Sequence, residues 1–352
     1  MMKWPWRRKG GDDRLVLSLS GDSLAYGRSV NGRLVRCGVE PRGTDTPQAF
    51  ARRVRSMGLQ SSHVSAVLAL HECQLLQIDA PAVPPAELKA AARWRIKELV
   101  DAHLDDLTLD VMVVGDGRAR NQRQLFVAAA HTKAIREMSE WCVAAGLELS
   151  VIDIRETAQR NLQSAAAQAR DAQPRRGEFA SAALLRQGEL CLLTICAHGE
   201  LFYSRRLAWD GQALGGAASL TSSRDAPSFA DSTAAELEMM DIVDYGADVD
   251  AVAGTSSVTG DEGQRFVVEL QRSLDLWERS WPDLPLERLS IQMGEDTQAA
   301  AELLRPALAI PVEALEPERA LPGFMQAATT PAVRAAVVPV LGALLRTESR
   351  QL

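Results

Sequence analysis

The 352-residue sequence lacks most of what exported, metal-bound or membrane-spanning proteins are built from. Its five cysteines, Cys37, Cys73, Cys142, Cys191 and Cys196, are odd in number and scattered through apolar runs, with no CxxC or zinc-type spacing. That pattern excludes a disulfide framework and fits buried thiols in a reducing cytoplasm. No window approaches the roughly 18 apolar residues of a spanning helix. The first residues, MMKWPWRRKGG, have no apolar core of the kind a secretory signal needs. The motifs GxSxG, GxxxxGK[ST] and HExxH are all missing, and with them the commonest signatures of hydrolases and phosphate-loop enzymes. The five histidines, His63, His71, His103, His131 and His198, are far apart and read as structural.

What is present is enough for a large core. Apolar residues make up 46% and charged residues 24%, and the length points to about two domains. The net charge of −7 is concentrated: from Arg224 to Glu262 there are ten acids and one base, which leaves 38 bases against 36 acids elsewhere. A nearly neutral remainder has no nucleic-acid footprint. The acidic stretch lies in a Ser/Ala/Asp-rich segment, residues 217–263, expected to be a mobile surface insertion. Residues 1–13 form a basic tip in which Trp4 and Trp6 lie between Lys3 and the run Arg7, Arg8 and Lys9. Indoles favour bilayer interfaces and each cation adds about 1 kcal/mol near anionic lipid, so a weak membrane-surface contact is expected there.

Periodicity gives the elements. Leu15–Leu19 reads as a strand, followed by a second strand, the hairpin signal Asn31-Gly32 and a third strand at Leu34–Val39. Thr46-Pro47 opens a helix with Phe50, Val54 and Met57 on one face. Strands at His63–Leu70 and Cys73–Ile78 precede a unit opened by Pro84-Pro85. Its helix, running to about Val100, places Leu88, Ala92, Ile96 and Leu99 on one face. A hairpin over Leu107–Val114 and Gln124–Ala129, a helix capped by Thr132, a strand at Leu147–Ile154 and an Ala/Gln-rich helix over 155–170 follow. The polar segment 171–178 marks the main boundary, giving a first lobe at 14–170, with an inserted subdomain at about 79–145, and a second lobe at 179–352.

The second half begins as the first does. Gly21 and Gly32 are eleven positions apart, and so are Gly188 and Gly199. Each first glycine precedes an acid, Asp22 or Glu189, and each second glycine closes a turn two residues before Leu34 or Leu201. The chain reads as two copies of one α/β unit.

A duplicated strand–turn–strand of this kind resembles the actin/sugar-kinase ATPase fold. In that family the first turn of each copy carries a phosphate-binding loop of the form h-h-h-Asp-h-Gly. The resemblance places Ser18 and Ser20 on those positions in the first copy, beside Gly21, and Leu185 and Gln187 in the second, beside Gly188. Both metal-orienting carboxylates are therefore replaced, and Ala25 stands at the usual lysine. The adenosine loop maps to Ile291-Gln-Met-Gly294-Glu295, which keeps one glycine. Mg²⁺ takes carboxylate and water oxygens, so the cleft is expected to be degenerate and the chain to need no cofactor, with ATP as the alternative.

More closely, the chain resembles the PilM family of type IV pilus assembly proteins, and within it the MSHA pilus (MshI) branch. The resemblance rests on the tip MKW-x-W-RRK, on Asp79-Ala-Pro-Ala-Val-Pro-Pro-Ala-Glu-Leu-Lys-Ala-Ala-Ala-Arg-Trp-Arg95, on Leu104-Asp-Asp-Leu-Thr-Leu-Asp-Val111 and on Glu269-Leu-Gln-Arg-Ser-Leu-Asp-Leu-Trp277. It implies an actin-like (ribonuclease H-like) two-lobed fold with an inserted small α/β subdomain. It also implies a non-enzymatic cytoplasmic scaffold, peripheral at the inner membrane, that grips the cytoplasmic N-terminal peptide of a bitopic, PilN-like protein. Trp94 lies off the apolar face of its helix, beside Arg93, Arg95 and Lys97, and is either a packing residue or the anchor for that peptide. The alternatives for the whole chain are a slow ATP-switched ATPase and a GspL-like type II secretion scaffold.

Overall fold

A computed structural model describes residues 12–115, 123–170, 178–209 and 258–347. The first lobe opens with β1 (Asp13–Leu19), β2 (Ser23–Val30) and β3 (Arg33–Pro41), then helix α1 (Pro47–Ser56) and β4 (His63–Val67). Thr46 accepts a hydrogen bond from the Ala49 amide at 3.2 Å, and Pro47 pre-sets the first turn of α1. An inserted unit follows: β5 (Cys73–Asp79), α2 (Leu88–Arg95), β6 (Leu107–Val113) and β7 (Gln124–His131). The lobe closes with α3 (Thr132–Ala144) and β8 (Leu149–Asp153), and α4 (Arg155–Arg170) leads out of it. The second lobe contains β9 (Ala180–Gln187), β10 (Leu190–Ala197), β11 (Glu200–Ala208), α5 (Val258–Ser280), β12 (Leu286–Gln292), α6 (Thr297–Leu304) and β13 (Val312–Ala314). After it come α7 (Pro317–Ala320), α8 (Phe324–Ala327) and α9 (Pro331–Leu341).

The duplication is structural. Each lobe is a five-stranded sheet, ordered β3-β2-β1-β4-β8 in the first and β11-β10-β9-β12-β13 in the second. In both, the first three strands are antiparallel and the last two join in parallel. Register is conserved as well: Val30 pairs with Arg33 and Ser29 with Leu34, as Ala197 pairs with Glu200 and Cys196 with Leu201. A bulge then falls at the same place in each lobe, leaving Val35 in one and Phe202 in the other without a cross-strand partner. The two turns use left-handed pairs, Asn31-Gly32 (φ 52° and 75°) and His198-Gly199 (φ 54° and 82°), as a tight hairpin requires. Glycine carries no penalty there; His198 does, and keeps the conformation because the strands on both sides hold it.

Each sheet buries both faces. In the first lobe, Leu15 and Leu17 face Phe50 and Val54 of α1 and Met138, Trp141 and Cys142 of α3. In the second, Ala182 and Leu184 face Trp277 of α5 and Ala301 and Leu304 of α6, with Phe202 edge-on to Trp281 at 4.9 Å. The opposite faces meet in one interlobe layer: Val16 and Val67 from the first sheet, Ala183 and Leu185 from the second, Ala158 and Leu162 of α4, and Val337 to Leu341 of α9. Here α4 docks under the second sheet and α9 under the first, so each lobe receives the other's last helix.

Several sequence expectations need correction. The inserted sheet, ordered β5-β7-β6, begins at Cys73, and α3 packs against the first sheet. The unit is therefore 73–131 rather than 79–145, because Met138, Trp141 and Cys142 point into the lobe core. Helix α2 stops at Arg95 instead of Val100, since Ile96 turns into the core of the unit and the chain tightens into three-residue turns. Thr132 is the first residue of α3, not its cap; its hydroxyl lies 3.0 Å from that of Thr108. Strand β4 ends at Val67, before a 3₁₀ turn at Leu70–Glu72. Residues 1–11 of the basic tip and 217–257 of the acidic segment lie outside the described residues; Asp13 already opens β1, and residues 258–263, expected to close a mobile insertion, instead begin helix α5.

Candidate functional site

Two places carry the residues singled out from the sequence: the cleft where β1 and β9 end, and the exposed face of α2. At the first, Ser18 alternates with Val16 and so faces the interlobe layer, as Leu185 does from the second sheet. Ser18 is buried, and its hydroxyl accepts a hydrogen bond from Arg155 Nη2 at 2.7 Å, while Arg155 Nε donates to the Leu68 carbonyl at 3.1 Å. Burial pushes the Arg155 guanidinium down to about 10, which leaves it charged at neutral pH. A cation therefore sits where the resemblance asks for an anion to orient a metal. Leu185 is fully buried and offers no ligand atom.

Ser20, Gly21 and Asp22 form the exposed first turn, in which the Ser20 and Ser23 hydroxyls gather on Asp22. That carboxylate would repel a phosphate. Gly188 adopts φ 72° in the second turn, and Gln187 Nε2 is buried there without a partner. Gly294 (φ 71°) follows β12, and Arg186 pairs with Asp296 at 2.7 Å, so the second turn and the Gly294 turn are tied side by side on one sheet. Helix α9 packs against this turn: a Cβ on Gly294 would lie 3.5 Å from Ala335.

Around this floor lie charged residues that the sequence reading missed. Glu156, 2% exposed, pairs with Arg206 of β11 at 2.8 Å, and Arg206 also donates to the Leu70 and Cys73 carbonyls, each at 2.7 Å. Asp153 pairs with Arg346 at 3.1 Å. One signal was available. Arg155 opens α4, and a cation in the first turn of a helix opposes the macrodipole, so it needs a reason beyond the helix. The polar hollow beside the end of α4 is lined by Arg170, Arg288, Arg319 and Glu313, whose charges are matched among themselves and with Glu287 and Glu316.

The second place is α2. Ala92 and Ile96 are buried with Ile78, Leu109 and Val127, and Leu88 and Leu99 are half-buried against them. Trp94 is 72% exposed and contributes nothing to that core. Arg95 and Lys97 are exposed beside it, whereas Arg93 pairs with Asp105 at 2.8 Å and its charge is already used. Trp4, Trp6, Arg7, Arg8 and Lys9 lie outside the described residues.

Other chemistries find little support. Burial pushes the Cys37 thiol up to about 11 and those of Cys142, Cys191 and Cys196 to about 12, and Cys73 rises further, so thiolate chemistry is suppressed. Among the described residues, no group of three or more His, Cys, Asp or Glu side chains is placed to hold a metal. No described helix is long and apolar enough to cross a membrane.

No family model matches the chain, and no curated protein matches it. Solved structures do. The chain is similar to one in a PilM–PilN type IV pilus biogenesis complex, with 20% identity, TM-score 0.63, and coverage of 95% of this chain and 98% of that one. It also aligns with a Bacteroides thetaiotaomicron protein of actin-like ATPase fold and unknown function (9% identity, TM-score 0.48, 91% and 96% covered). A third alignment is with the cytoplasmic domain of EpsL, an inner-membrane component of the Vibrio cholerae type II secretion system (12% identity, TM-score 0.38, 56% and 71% covered). The fold is actin-like.

Proposed function

We propose that this chain is a non-enzymatic scaffold of a type IV pilus assembly platform, of the MSHA type. On this reading it works at the cytoplasmic face of the inner membrane and binds the cytoplasmic N-terminal peptide of a bitopic, PilN-like partner. The observation that carries the proposal is Trp94. Its indole is left 72% exposed on a unit whose core is complete without it, and large aromatics are the residue type on which partner anchors are most often built. Arg95 and Lys97 supply cationic neighbours for an acidic or carboxylate-bearing peptide. The likeness to a chain from a PilM–PilN complex supports a partner of that class, and the tip and the 79–95 block support the MSHA branch. The cleft supports a role without catalysis: Ser18 is held by a cation, Leu185 offers no ligand, and α9 rests on the Gly294 turn.

The test is Trp94→Ala, measured for stability and for affinity to a synthetic peptide of the N-terminal cytoplasmic segment of the PilN-like protein from the same genome. Stability is expected to stay within about 0.5 kcal/mol of the parent, as for an exposed site. Affinity is expected to fall by about 30-fold, as for a buried aromatic anchor worth about 2 kcal/mol. A variant of parental stability that binds the peptide as the parent does removes Trp94 as the anchor. A variant that loses stability with unchanged affinity assigns the indole to packing.

A further inference from the structure

The two lobes hold each other at equivalent points. Leu34 and Leu201 occupy the same position in the two copies, two residues after the turn glycine on the outermost strand of each sheet. At Leu34, the backbone amide donates to the carbonyl of Pro322, from the segment that runs beyond the second sheet, at 2.9 Å. At Leu201, the carbonyl accepts from the amide of Gly115, just after β6 of the inserted unit, at 2.8 Å. Both contacts are made by a glycine segment in the left-handed region. Gly323 has φ 93°, and a Cβ on it would lie 2.4 Å from the Leu34 carbonyl oxygen. Gly115 has φ 62°, and a Cβ there would lie 2.4 Å from the Phe202 ring. Phe202 is the bulge residue of the second lobe. Turned inward, it is 1% exposed and makes the bed on which Gly115 rests; its counterpart Val35 is 49% exposed.

Around Gly115 the inserted unit enters the core of the other lobe. Val114 and Phe126 belong to the same buried cluster as Phe202, Trp277 and Trp281, with Leu75 and Met112 packed against it. Arg206 of β11 reaches back to the Leu70 and Cys73 carbonyls where the unit begins. A unit that is part of the first lobe by chain order is thus anchored in the second by packing. An outermost strand with unpaired backbone groups would otherwise invite another strand, and both contacts cover one.

We propose that these two glycine clasps lock the lobes at a single angle, so that the chain acts as a rigid block and the inserted unit opens only together with β11 of the second lobe. The interlobe layer alone would permit hinge motion; a clasp on each outer strand does not. Load applied to the inserted unit is then borne by both lobes, whatever ligand applies it.

The test is native-state amide exchange on the full chain at low denaturant. Amides of β5, β7 and β11 are expected to share one opening, with the same dependence on denaturant. If β5 and β7 open at lower denaturant than β11, as an independent unit, the proposal is overturned. Gly115→Ala is expected to speed exchange in β5, β7 and β11 at least tenfold. Gly188→Ala is the control: it carries the same backbone strain (φ 72°) with nothing within 4 Å of the new Cβ, and is expected to affect only its own turn. Equal exchange patterns in the two variants would also refute the clasp. Should Gly115→Ala not fold, the parental denaturant dependence decides alone.

Discussion

The two crossing helices do the same job with opposite chemistry. Helix α9 docks on the first sheet through Val337, Val338, Val340 and Leu341, and Gly27 of β2 makes room for Leu341: a Cβ there would lie 2.5 Å from its Cδ2. Helix α4 docks on the second sheet through amides. Gln159 Nε2 reaches the Ala183 and Leu192 carbonyls at 3.0 and 2.8 Å, and Gln163 donates to Ser181 and accepts from Thr194 at 2.8 Å. The duplicated topology settles where each helix lies. It leaves open whether shape or hydrogen bonding fixes it there. A buried amide network specifies one arrangement because each misplacement strands a polar group, whereas an apolar contact tolerates small shifts.

The largest effect that would break this comparison lies where α4 meets the end of α9. A Cβ on Gly342 would sit 1.7 Å from the Ala158 carbonyl oxygen, a backbone atom that cannot swing aside. Gly342→Ala is expected to cost about 3 kcal/mol or more, read as a lowered melting temperature or loss of folded protein. If it melts like the parent, the close crossing is not present in solution. Next, Gln163→Leu leaves the Thr194 hydroxyl without its acceptor, at an expected cost of about 1–3 kcal/mol in denaturant unfolding. An apolar swap on the α9 side, Val337→Ile, should cost less, and the reverse order would show that shape, not hydrogen bonding, fixes α4.

A smaller effect is pH-dependent. Glu318 accepts hydrogen bonds from the Met325 and Gly323 amides at 2.8 and 3.0 Å, which hold its carboxyl below the usual 4.5. A depressed folded-state value means the stabilisation is complete above 4.5 and fades as pH falls through the lower value. Glu318→Gln should therefore melt below the parent at pH 6, with the gap narrowing towards pH 3; a gap independent of pH would remove the carboxylate from the β3 clasp. The smallest expected effect is that of nucleotide. With Arg155 on Ser18 and no acid at 185, 1 mM ATP with Mg²⁺ should leave the melting temperature unchanged. Binding at a Kd near 10 μM would stabilise by about 2.7 kcal/mol and would restore the ATP-switched reading.

Much of the fold was legible because its signals are local. Asn31-Gly32 and His198-Gly199 announce hairpins by their turn chemistry, and the short apolar runs Leu15–Leu19 and Ala182–Leu185 mark β1 and β9, strands buried on both faces. Helix α4 was legible as a helix over 155–170 but its burial was not: Ala, Gln and Arg at its buried positions form no apolar stripe, because the groups to which Gln159 and Gln163 hydrogen-bond lie on strands 18 to 35 residues away. The cleft was half legible. The resemblance implied that Ser18 and Leu185 stand at the positions of both acids but not that Arg155 fills the floor, since Arg155 and Ser18 are 137 residues apart.

The sequence by itself determined the duplication, the placement of Trp94 off the apolar face of its helix and the absence of carboxylates at Ser18 and Leu185. These depend on residue identity and on spacing along a strand or helix. Tertiary structure alone decided that Arg93 is taken by Asp105, that α3 belongs to the first lobe, and that the inserted unit rests on the second lobe through Gly115. Such contacts join residues distant in the chain, and they form only where folding has already brought two surfaces within a hydrogen bond's length.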